Sequence, residues 1–389
     1  MDSNRRPVLP FLPTVLLLNL LIASIVALRL KWQIRIAAFV AYMSTLAFIY
    51  SCTTGDMQWD YTAGSTLMQQ FLIALSLVWL TDPLLEFRHE CDSAHPLTLS
   101  FAQRLYWVQC IIYNHRGVGW NYQVANLPPR LNVPRWRIVY QRCLSAFRWY
   151  LVLDAIETFI LPSFMQNYSI RQHFFGPAQF GSLIATVAMN YDLLSALSVA
   201  SGIHEAHVWH EIYGSWSDAK TVRGFWGRTY HQTLRRHTAT LGKRISRLIR
   251  LQPGSRASSY TQLYIGFTVS GLVHCGGDLM VQPSAFGSSF SFYIAQAVAI
   301  SLEDAVIALA RSSGICYSHR MSRFLGYIWV FTWLWISTPW AVMCLEKVGI
   351  IETHRMPFSL ITALIQCTSR ARAVFSRISA PMIPENVAY

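Results

Sequence analysis

The sequence is poor in charged residues, above all in acidic ones. Charged side chains make up 13% of its 389 residues, against about 25% in an average soluble domain. Lys and Arg number 32 and Asp and Glu 19, which gives a formal net charge of +13. So few charges cannot cover a soluble domain of this size. The shortage excludes a disordered chain, an acidic tail protein and an ordinary cytosolic enzyme.

The sequence also lacks paired cysteines and internal symmetry. None of its eight cysteines stands in a C-x-x-C pair, and most lie in or beside apolar segments: Cys52, Cys91, Cys110, Cys143, Cys275, Cys316, Cys344 and Cys367. This spacing favours reduced packing residues over a disulfide scaffold or a zinc site. The sequence has no repeat of fixed period, and its two halves show no matching broken helices. Both absences disfavour a secondary transporter.

The sequence does contain long apolar runs. A helix needs about 20 residues to cross a hydrocarbon core. The charge-poor runs of suitable length are 8–28, 36–52, 65–80, 179–203, 260–281 and 325–345, with less clean ones at 149–166 and 286–310 and a short one at 357–367. We therefore predict an all-α, polytopic membrane protein with eight or nine transmembrane helices and long cytosolic loops, folded as a single domain over residues 1–389.

The positions of the basic residues predict the orientation of these helices. With the N-terminus in the lumen, the cytosolic side holds about 27 of the 32 Lys and Arg residues, as the positive-inside rule requires. The cytosolic segments are then the C-terminal tail and the loops 29–35, 86–148, 204–259 and 311–323. The net charge is therefore mainly a topological signal, and we expect no nucleic-acid partner. The loops can also bind an anionic cofactor or lipid headgroups.

The first apolar run resembles the start of a secreted or membrane protein. It follows Arg5 and Arg6, as a signal peptide would, but it is longer than the usual apolar core of such a peptide. Further apolar runs follow it directly. We therefore expect a retained anchor in the endoplasmic reticulum membrane.

Histidine is concentrated between residues 204 and 237. His204, His207 and His210 recur every three residues, and on a helix the first two would share a face, as metal ligands can. The pattern is not H-E-x-x-H, because Val208 stands four residues after His204, and no matched set of cysteines or carboxylates lies nearby. We therefore expect interfacial histidines here and no metal.

Aromatic and basic residues alternate between Ser215 and Gln232, just before a basic stretch that ends near Arg250. One interpretation is an amphipathic interfacial helix, with aromatic rings at headgroup depth. The other is a clamp for an anionic cofactor, because clustered guanidinium groups suit phosphate binding. The candidates for such a clamp are Arg223, Arg228, Arg235 and Arg236.

His274 stands about two-thirds along the apolar run 260–281. An ionisable side chain inside the membrane is costly and is a functional candidate by default. A neutral histidine can instead be a hydrogen-bonding partner between helices. The glycines of this run predict close helix packing or room for a bulky substrate: Gly266, Gly271, Gly276 and Gly277.

Several acidic residues fall within or beside the apolar runs. Most lie near the ends of the runs, where we expect solvated or paired structural roles: Asp82, Asp154, Glu157 and Asp192. The adjacent pair Glu303 and Asp304 permits another interpretation, because two neighbouring acids can protonate a terpene in a membrane cyclase.

Three segments of the sequence resemble motifs of the wax synthase family. Residues 225–232, FWGRTYHQ, resemble the F-W-x-R-x-W-H-Q signature of that family, with Tyr230 in place of the usual tryptophan. Residues 270–274, SGLVH, resemble its S-G-x-x-H helix, and residues 116–120, RGVGW, resemble an R-G-x-G-W element of fungal members. The three occur in order over about 110–280, the motif-bearing core.

Wax synthases are similar to membrane-bound O-acyltransferases, which move an acyl group from coenzyme A to a hydroxyl. The resemblance implies that His274 is the catalytic intramembrane histidine and that His231 is its partner. It also implies an acetyltransferase that uses acetyl-CoA and acts on a hydrophobic terpenoid or meroterpenoid alcohol. A neutral histidine near its ordinary pKa of about 6.5 suits a general base at cellular pH.

The remaining candidates follow from the chemistry that the resemblance implies. The phosphates of coenzyme A need basic residues on the cytosolic face, and the oxyanion of acyl transfer needs a hydrogen-bond donor, either His231 or the indole N–H of Trp226. The expected donor-binding residues are Arg223, Trp226, Arg228, Arg235 and Arg236. The alternatives are a long-chain wax ester synthase, a membrane terpene cyclase and a non-enzymatic transporter or channel.

Overall fold

A computed structural model describes residues 6–130, 133–162, 168–314, 318–347, 355–356 and 358–378, without the side chains of 168–173, 343–347 and 371–378. Within these ranges the chain is all-helical and contains no strand, which confirms the predicted fold class. The longer helices are α1 (Phe11–Ala27), α2 (Trp32–Tyr50), α3 (Met57–Leu75), α4 (Phe101–Tyr113), α5 (Arg135–Ala155), α6 (Tyr168–Ser201), α7 (Arg235–Leu248), α8 (Arg256–Val281), α9 (Phe290–Ser312), α10 (His319–Lys347) and α11 (Leu360–Ile378).

Four helical segments in the described part of the chain are long and apolar enough to cross a membrane: Trp32–Tyr50, Met57–Leu80, Phe174–Ser201 and Pro283–Ser312. They correspond to the predicted runs 36–52, 65–80, 179–203 and 286–310. The run 8–28 forms a helix of 17 residues, and the runs 260–281 and 325–345 lie in helices of lower mean hydropathy. A count of eight or nine spans therefore stays a prediction. Residues 163–166 and 357 of two further runs lie outside the described residues.

Helices α3 and α8 are in backbone contact, and glycine makes this possible. A Cβ atom added to Gly64 would lie 2.2 Å from the carbonyl oxygen of Gly276, and one added to Gly276 would lie 2.7 Å from that of Gly64. A Cβ atom on Gly277 would lie 2.6 Å from the hydroxyl of Ser65. The close helix packing predicted from these glycines is confirmed, and it sets the side chains of α3 directly against those of α8.

Helix α7 lies antiparallel to α8. A Cβ atom on Gly242 would lie 3.2 Å from the Cα of Gln262, and one on Gly266 would lie 3.9 Å from the Cβ of Thr238. One turn earlier, Leu234 packs with Val269 and Val273 in a small apolar cluster. This register brings the chain that precedes α7 alongside the end of α8 that carries His274.

Two buried arginines hold the segment 209–211, which leads into the aromatic and basic stretch. Arg116, which directly precedes Gly117 of positive φ, donates hydrogen bonds to the carbonyl oxygens of Glu211 at 2.6 Å and His210 at 3.1 Å. Arg142 pairs with Asp192 at 2.8 Å, and both side chains are buried. Of the solvated or paired roles expected for Asp192, the structure shows the paired one, and the pair offsets part of the cost of burying its charge.

The described cysteine side chains form no disulfide with one another: Cys52, Cys91, Cys110, Cys143, Cys275 and Cys367. Cys52 and Cys275 are buried and Cys110 is half-buried, so these three act as packing residues. Cys316 and the side chain of Cys344 lie outside the described residues.

Candidate active site

A cavity of about 950 Å³ runs beside α8. It touches α8 from Ser259 to His274, a distance of about 22 Å at 1.5 Å of rise for each helical residue. Two of the surfaces that line it carry most of the candidate residues. The helix wall carries Tyr61 of α3, His274 of α8 and Tyr293 of α9, and the loop wall consists of the residues between 218 and 235 that line the cavity.

His274 lies on the helix wall, half-buried and facing the cavity. Its Nδ1 atom is 3.1 Å from the hydroxyl oxygen of Tyr61. The ring of Tyr293 stacks on the imidazole, with 4.7 Å between centroids and 15° between planes. The hydrogen bond and the stacked ring together fix the direction in which the imidazole points.

His231 lies on the loop wall of the same cavity. Its Nδ1 atom shares a hydrogen bond of 2.9 Å with the hydroxyl of Thr233. Desolvation inside the protein, helped by the charge of Arg116, lowers the pKa of His231 from 6.5 to about 4. The structure therefore brings the two predicted histidines to one cavity, and His231 is neutral at cellular pH.

The loop wall owes its shape to a compact turn. Residues Phe225–Thr229 form one π-helical turn, closed by a hydrogen bond of 2.7 Å from the backbone N–H of Tyr230 to the carbonyl of Phe225. The Gly214 N–H donates to the Thr229 carbonyl at 2.8 Å, and a Cβ atom on Gly214 would lie 2.1 Å from the carbonyl oxygen of Arg228. The motif thus folds back on itself, as single π turns at functional sites often do.

Trp226 lines the cavity, but its polar group is already engaged. The indole N–H donates a hydrogen bond of 3.1 Å to the side-chain oxygen of Gln296. The indole N–H of Trp333 donates to the same oxygen at 2.8 Å. The suggested role of the Trp226 N–H as oxyanion donor would require breaking this hydrogen bond, whereas its ring remains available to a ligand.

Three of the four candidate arginines line the cavity. The guanidinium of Arg223 forms an ion pair with Asp304. The guanidinium of Arg235 donates to the Gly227 carbonyl at 2.6 Å and to the Gln232 side chain at 2.8 Å, and burial lowers its pKa. Arg228 is exposed, and its guanidinium has no hydrogen-bonding or ionic partner among the described residues. Arg228 is therefore the best placed to receive an anion.

Arg236, the fourth candidate, does not line the cavity. Its guanidinium donates to the Ile111 carbonyl at 3.0 Å and stacks over Tyr122, 4.0 Å from the ring centroid. Desolvation lowers its pKa. Arg236 thus packs α7 against α4 from behind the loop wall.

Sequence reasoning missed two groups of cavity residues. Lys220 lines the loop wall with an exposed side chain, and its place in the basic stretch was a usable signal. Tyr61 had no such signal, because nothing in its local sequence marks a tyrosine near the start of an apolar helix as a partner of His274. The polar residues on its helix face are periodic and line the same cavity: Gln58, Thr62, Ser65, Thr66 and Gln69.

Glu303 and Asp304 serve the loop wall structurally. Glu303 accepts hydrogen bonds from the Val222 N–H at 2.6 Å and the Trp329 indole N–H at 2.8 Å. Asp304 pairs with Arg223 and accepts a hydrogen bond of 2.9 Å from the Tyr260 hydroxyl. These acids anchor the residues that precede the motif and do not line the cavity, which disfavours the cyclase interpretation.

The three histidines spaced by three residues make separate contacts. The Nδ1 atom of His204 lies 2.7 Å from the Ser198 hydroxyl, and that of His207 lies 3.0 Å from the carboxylate of Glu205. His210 is hydrogen-bonded to the carbonyl of Pro128. Among the described residues, no group of three or more His, Cys, Asp or Glu side chains is arranged to hold a metal ion.

Comparison with known proteins supports an acyltransferase site. Residues 209–295, which include His231 and His274, match the membrane bound O-acyl transferase family. The acetyltransferase ple2 of Rhodocybe pseudopiperita is 31% identical over 85% of this chain and 90% of its own length. The acetyltransferase eriL of Hericium erinaceus is 27% identical over 84% and 88%.

A third relative carries a different name. The O-Mevalon transferase yanI of Aspergillus niger is 28% identical over 84% of this chain and 82% of its own length. No solved structure matches the chain. The expected resemblance is confirmed at the level of the O-acyltransferases. By its similarity over most of its length, this membrane protein belongs to the membrane bound O-acyl transferase family and is an acyltransferase.

Proposed function

We propose that this acyltransferase moves an acetyl group from acetyl-CoA to a hydroxyl of an apolar terpenoid or meroterpenoid alcohol. The observation that carries the proposal is the cavity that His274 and His231 share, with an unpaired arginine, Arg228, among the described residues that line it. The relatives named acetyltransferases, which match most of the chain, support acetyl as the transferred group.

His274 is the proposed general base. Its Nδ1 atom faces Tyr61, so Nε2 is the atom left to meet the substrate. Nε2 takes the proton of the acceptor hydroxyl while the hydroxyl oxygen bonds to the thioester carbonyl carbon. The carbon–sulfur bond then breaks, and the thiolate takes the proton from Nε2, which returns His274 to its neutral form.

His231 is the proposed partner that stabilises the oxyanion. Its low pKa keeps it neutral, and when Nδ1 accepts from the Thr233 hydroxyl, the proton resides on Nε2. A neutral Nε2–H donor placed in a site shielded from water can stabilise the charge that develops on the thioester oxygen.

The loop wall is the proposed binding surface for the donor. Arg228 and Lys220 are exposed cations on it, Arg223 and Arg235 add partly engaged guanidinium groups, and Trp226 offers an aromatic ring. Guanidinium groups suit the phosphates of coenzyme A. Arg236 supports this wall from behind. The orientation with cytosolic basic loops, eight or nine spans and an endoplasmic reticulum location completes the proposal.

Microsomes from cells that express the chain provide the test. Acetyl-CoA and palmitoyl-CoA are offered in parallel, each with a sterol-like alcohol and a fatty alcohol. We expect transfer from acetyl-CoA to the polycyclic alcohol. Preferred transfer of palmitate to the fatty alcohol would replace the proposal by a wax ester synthase. Loss of the protein in the producing organism should cause an alcohol to accumulate that is lighter than the normal product by one acetyl group.

A further inference from the structure

A chain of hydrogen bonds leads from His274 to a buried carboxylate. The Nδ1 atom of His274 lies 3.1 Å from the hydroxyl oxygen of Tyr61, which lies 3.4 Å from the hydroxyl oxygen of Ser289. Ser289 donates from its hydroxyl to Oδ1 of Asp278 at 2.7 Å and from its backbone N–H to Oδ2 at 2.8 Å. Four residues from three parts of the fold therefore form one connected series.

The far end of this series is deeply buried. Asp278 has no exposed surface and Ser289 has 1%. Asp278 stands one helical turn beyond His274 on α8, and Ser289 directly precedes α9. The contact of α3 with α8 through Gly64 and Gly276 holds the Tyr61 hydroxyl between His274 and Ser289. The side chains are thus fixed by helix packing.

The carboxylate fixes the direction of the hydrogen bonds that Ser289 makes to it. Because both oxygens of Asp278 accept from Ser289, the Ser289 hydroxyl has no proton left to offer Tyr61. When the Tyr61 hydroxyl in turn donates to Ser289, its oxygen accepts from His274. In that arrangement the proton of neutral His274 is on Nδ1, and the lone pair is on Nε2.

We propose that Asp278, Ser289 and Tyr61 are positioning residues that hold His274 in the Nδ1–H form, with the Nε2 lone pair facing the cavity. The inference rests on the proposed role of His274 as the base. A base needs that lone pair, because the other tautomer presents a proton to the acceptor hydroxyl. The link from Tyr61 to Ser289 is the longest, above the usual 2.5–3.0 Å for two hydroxyls.

Asp278→Asn is the decisive variant, because it should reverse the series. The Ser289 backbone N–H can only donate, so the amide oxygen of the new side chain must face it, and its NH₂ group then faces the Ser289 hydroxyl. That hydroxyl turns its proton to Tyr61, Tyr61 donates to Nδ1, and Nε2 becomes protonated. The wrong histidine tautomer costs about 10⁴-fold in kcat in a serine protease triad. We expect a loss of at least about 100-fold in kcat with KM unchanged.

Tyr61→Phe removes the hydroxyl that connects His274 to Ser289. It removes the partner of Nδ1 without imposing the wrong tautomer, so we expect a loss of about tenfold in kcat, as for other groups that orient a histidine. The double variant Tyr61→Phe with Asp278→Asn should then be about as active as Tyr61→Phe alone. The second substitution would thus rescue most of the activity lost in Asp278→Asn. A purely structural role predicts instead that the two losses accumulate.

Two control variants make the same exchanges, tyrosine to phenylalanine and aspartate to asparagine, at positions outside the series. Tyr42→Phe removes a buried hydroxyl that has no partner among the described residues. Asp56→Asn replaces the residue that caps α3 through the Trp59 N–H at 2.8 Å, and asparagine caps equally well. Both should keep the activity of the unchanged protein. Thermal unfolding in detergent verifies that each variant is folded.

The outcomes separate this inference from the proposed function. If Asp278→Asn is folded and fully active while His274→Ala is inactive, the series does not set the tautomer and the inference is overturned. A double variant less active than either single variant overturns it as well. If His274→Ala itself retains full activity, the proposed base is wrong, whatever the other variants do.

Discussion

The two walls of the cavity differ in how they are built. The helix wall depends on side-by-side helices, where Gly64 and Gly276 bring backbones into contact and leave His274 little freedom. The loop wall carries the cations and depends on hydrogen bonds around a π-helical turn, anchored by Glu303. Packed helices position reacting atoms, whereas a charged loop suits an anion that must bind and leave. We expect helix-wall changes to lower kcat and loop-wall changes to raise KM for the donor.

The largest effect should come from the helix wall. Removing a general base costs about 10²–10⁴-fold, so His274→Ala should reduce kcat by that factor with the amount of folded protein unchanged. His207→Ala, a change at a half-exposed histidine elsewhere in the protein, is the matched control and should remain active. Acetyl transfer measured in microsomes decides the point. If His274→Ala were as active as His207→Ala, the proposed effect of the helix wall on kcat would be wrong.

Gly276→Ala tests whether helix contact positions the histidine. The new methyl group would lie 2.7 Å from the carbonyl oxygen of Gly64, so α3 and α8 must separate. Overpacking of this kind costs about 1–3 kcal/mol, and it should also move Tyr61 away from His274. The control Gly181→Ala meets its nearest atom at 3.6 Å, an ordinary contact. A lower unfolding temperature and a lower kcat are expected for Gly276→Ala alone.

Acid should destabilise the folded protein through three buried histidines. Burial lowers the pKa of His115 and of His231 to about 4, and that of His237 well below 6.5. Because the unfolded chain binds these protons near pH 6.5, stability is full above that pH and falls as the pH drops towards 4. The slope is about 1.4 kcal/mol per pH unit for each histidine.

His237→Gln should reduce the slope of stability against pH by the contribution of about one proton. The measurement is the unfolding temperature in detergent between pH 7.5 and 5, compared with the unchanged protein. The same slope in both proteins would show that His237 takes up its proton in the folded state. The substitution should leave the KM for the donor unchanged, because His237 is not among the residues that line the cavity.

The smallest effects should separate two arginines of different placement. Arg228→Ala removes an exposed cation from the loop wall and should raise the KM for acetyl-CoA by about tenfold, more at low salt than at high salt. Arg236→Ala should lower the unfolding temperature instead, because Arg236 bonds the Ile111 carbonyl and stacks on Tyr122. Arg148→Ala, at an exposed site on α5, controls for loss of charge. If the KM for acetyl-CoA rose in Arg236→Ala and not in Arg228→Ala, Arg236 and not Arg228 would be the residue that binds the donor.

The sequence predicted the fold class and the two histidines for a local reason. Hydropathy and helix length are properties of consecutive residues, and the motifs around His231 and His274 are short segments. The four arginines show where such reasoning ends. Arg235 and Arg236 are neighbours with the same chemistry, yet the first lines the cavity and the second packs behind it, because successive helical positions point in different directions.

The sequence by itself determined a charge-poor, helical membrane protein with basic loops and a histidine in an apolar run, since composition and motif are written in consecutive residues. Tertiary structure alone decided which groups meet. Tyr61 is 213 residues away from His274 along the chain, and only the contact of α3 with α8 places its hydroxyl on the imidazole. The same packing sets Asp278 and Ser289 behind them. The direction of a proton depends on such distant neighbours, because hydrogen bonds act over about 3 Å of space, whatever the separation in sequence.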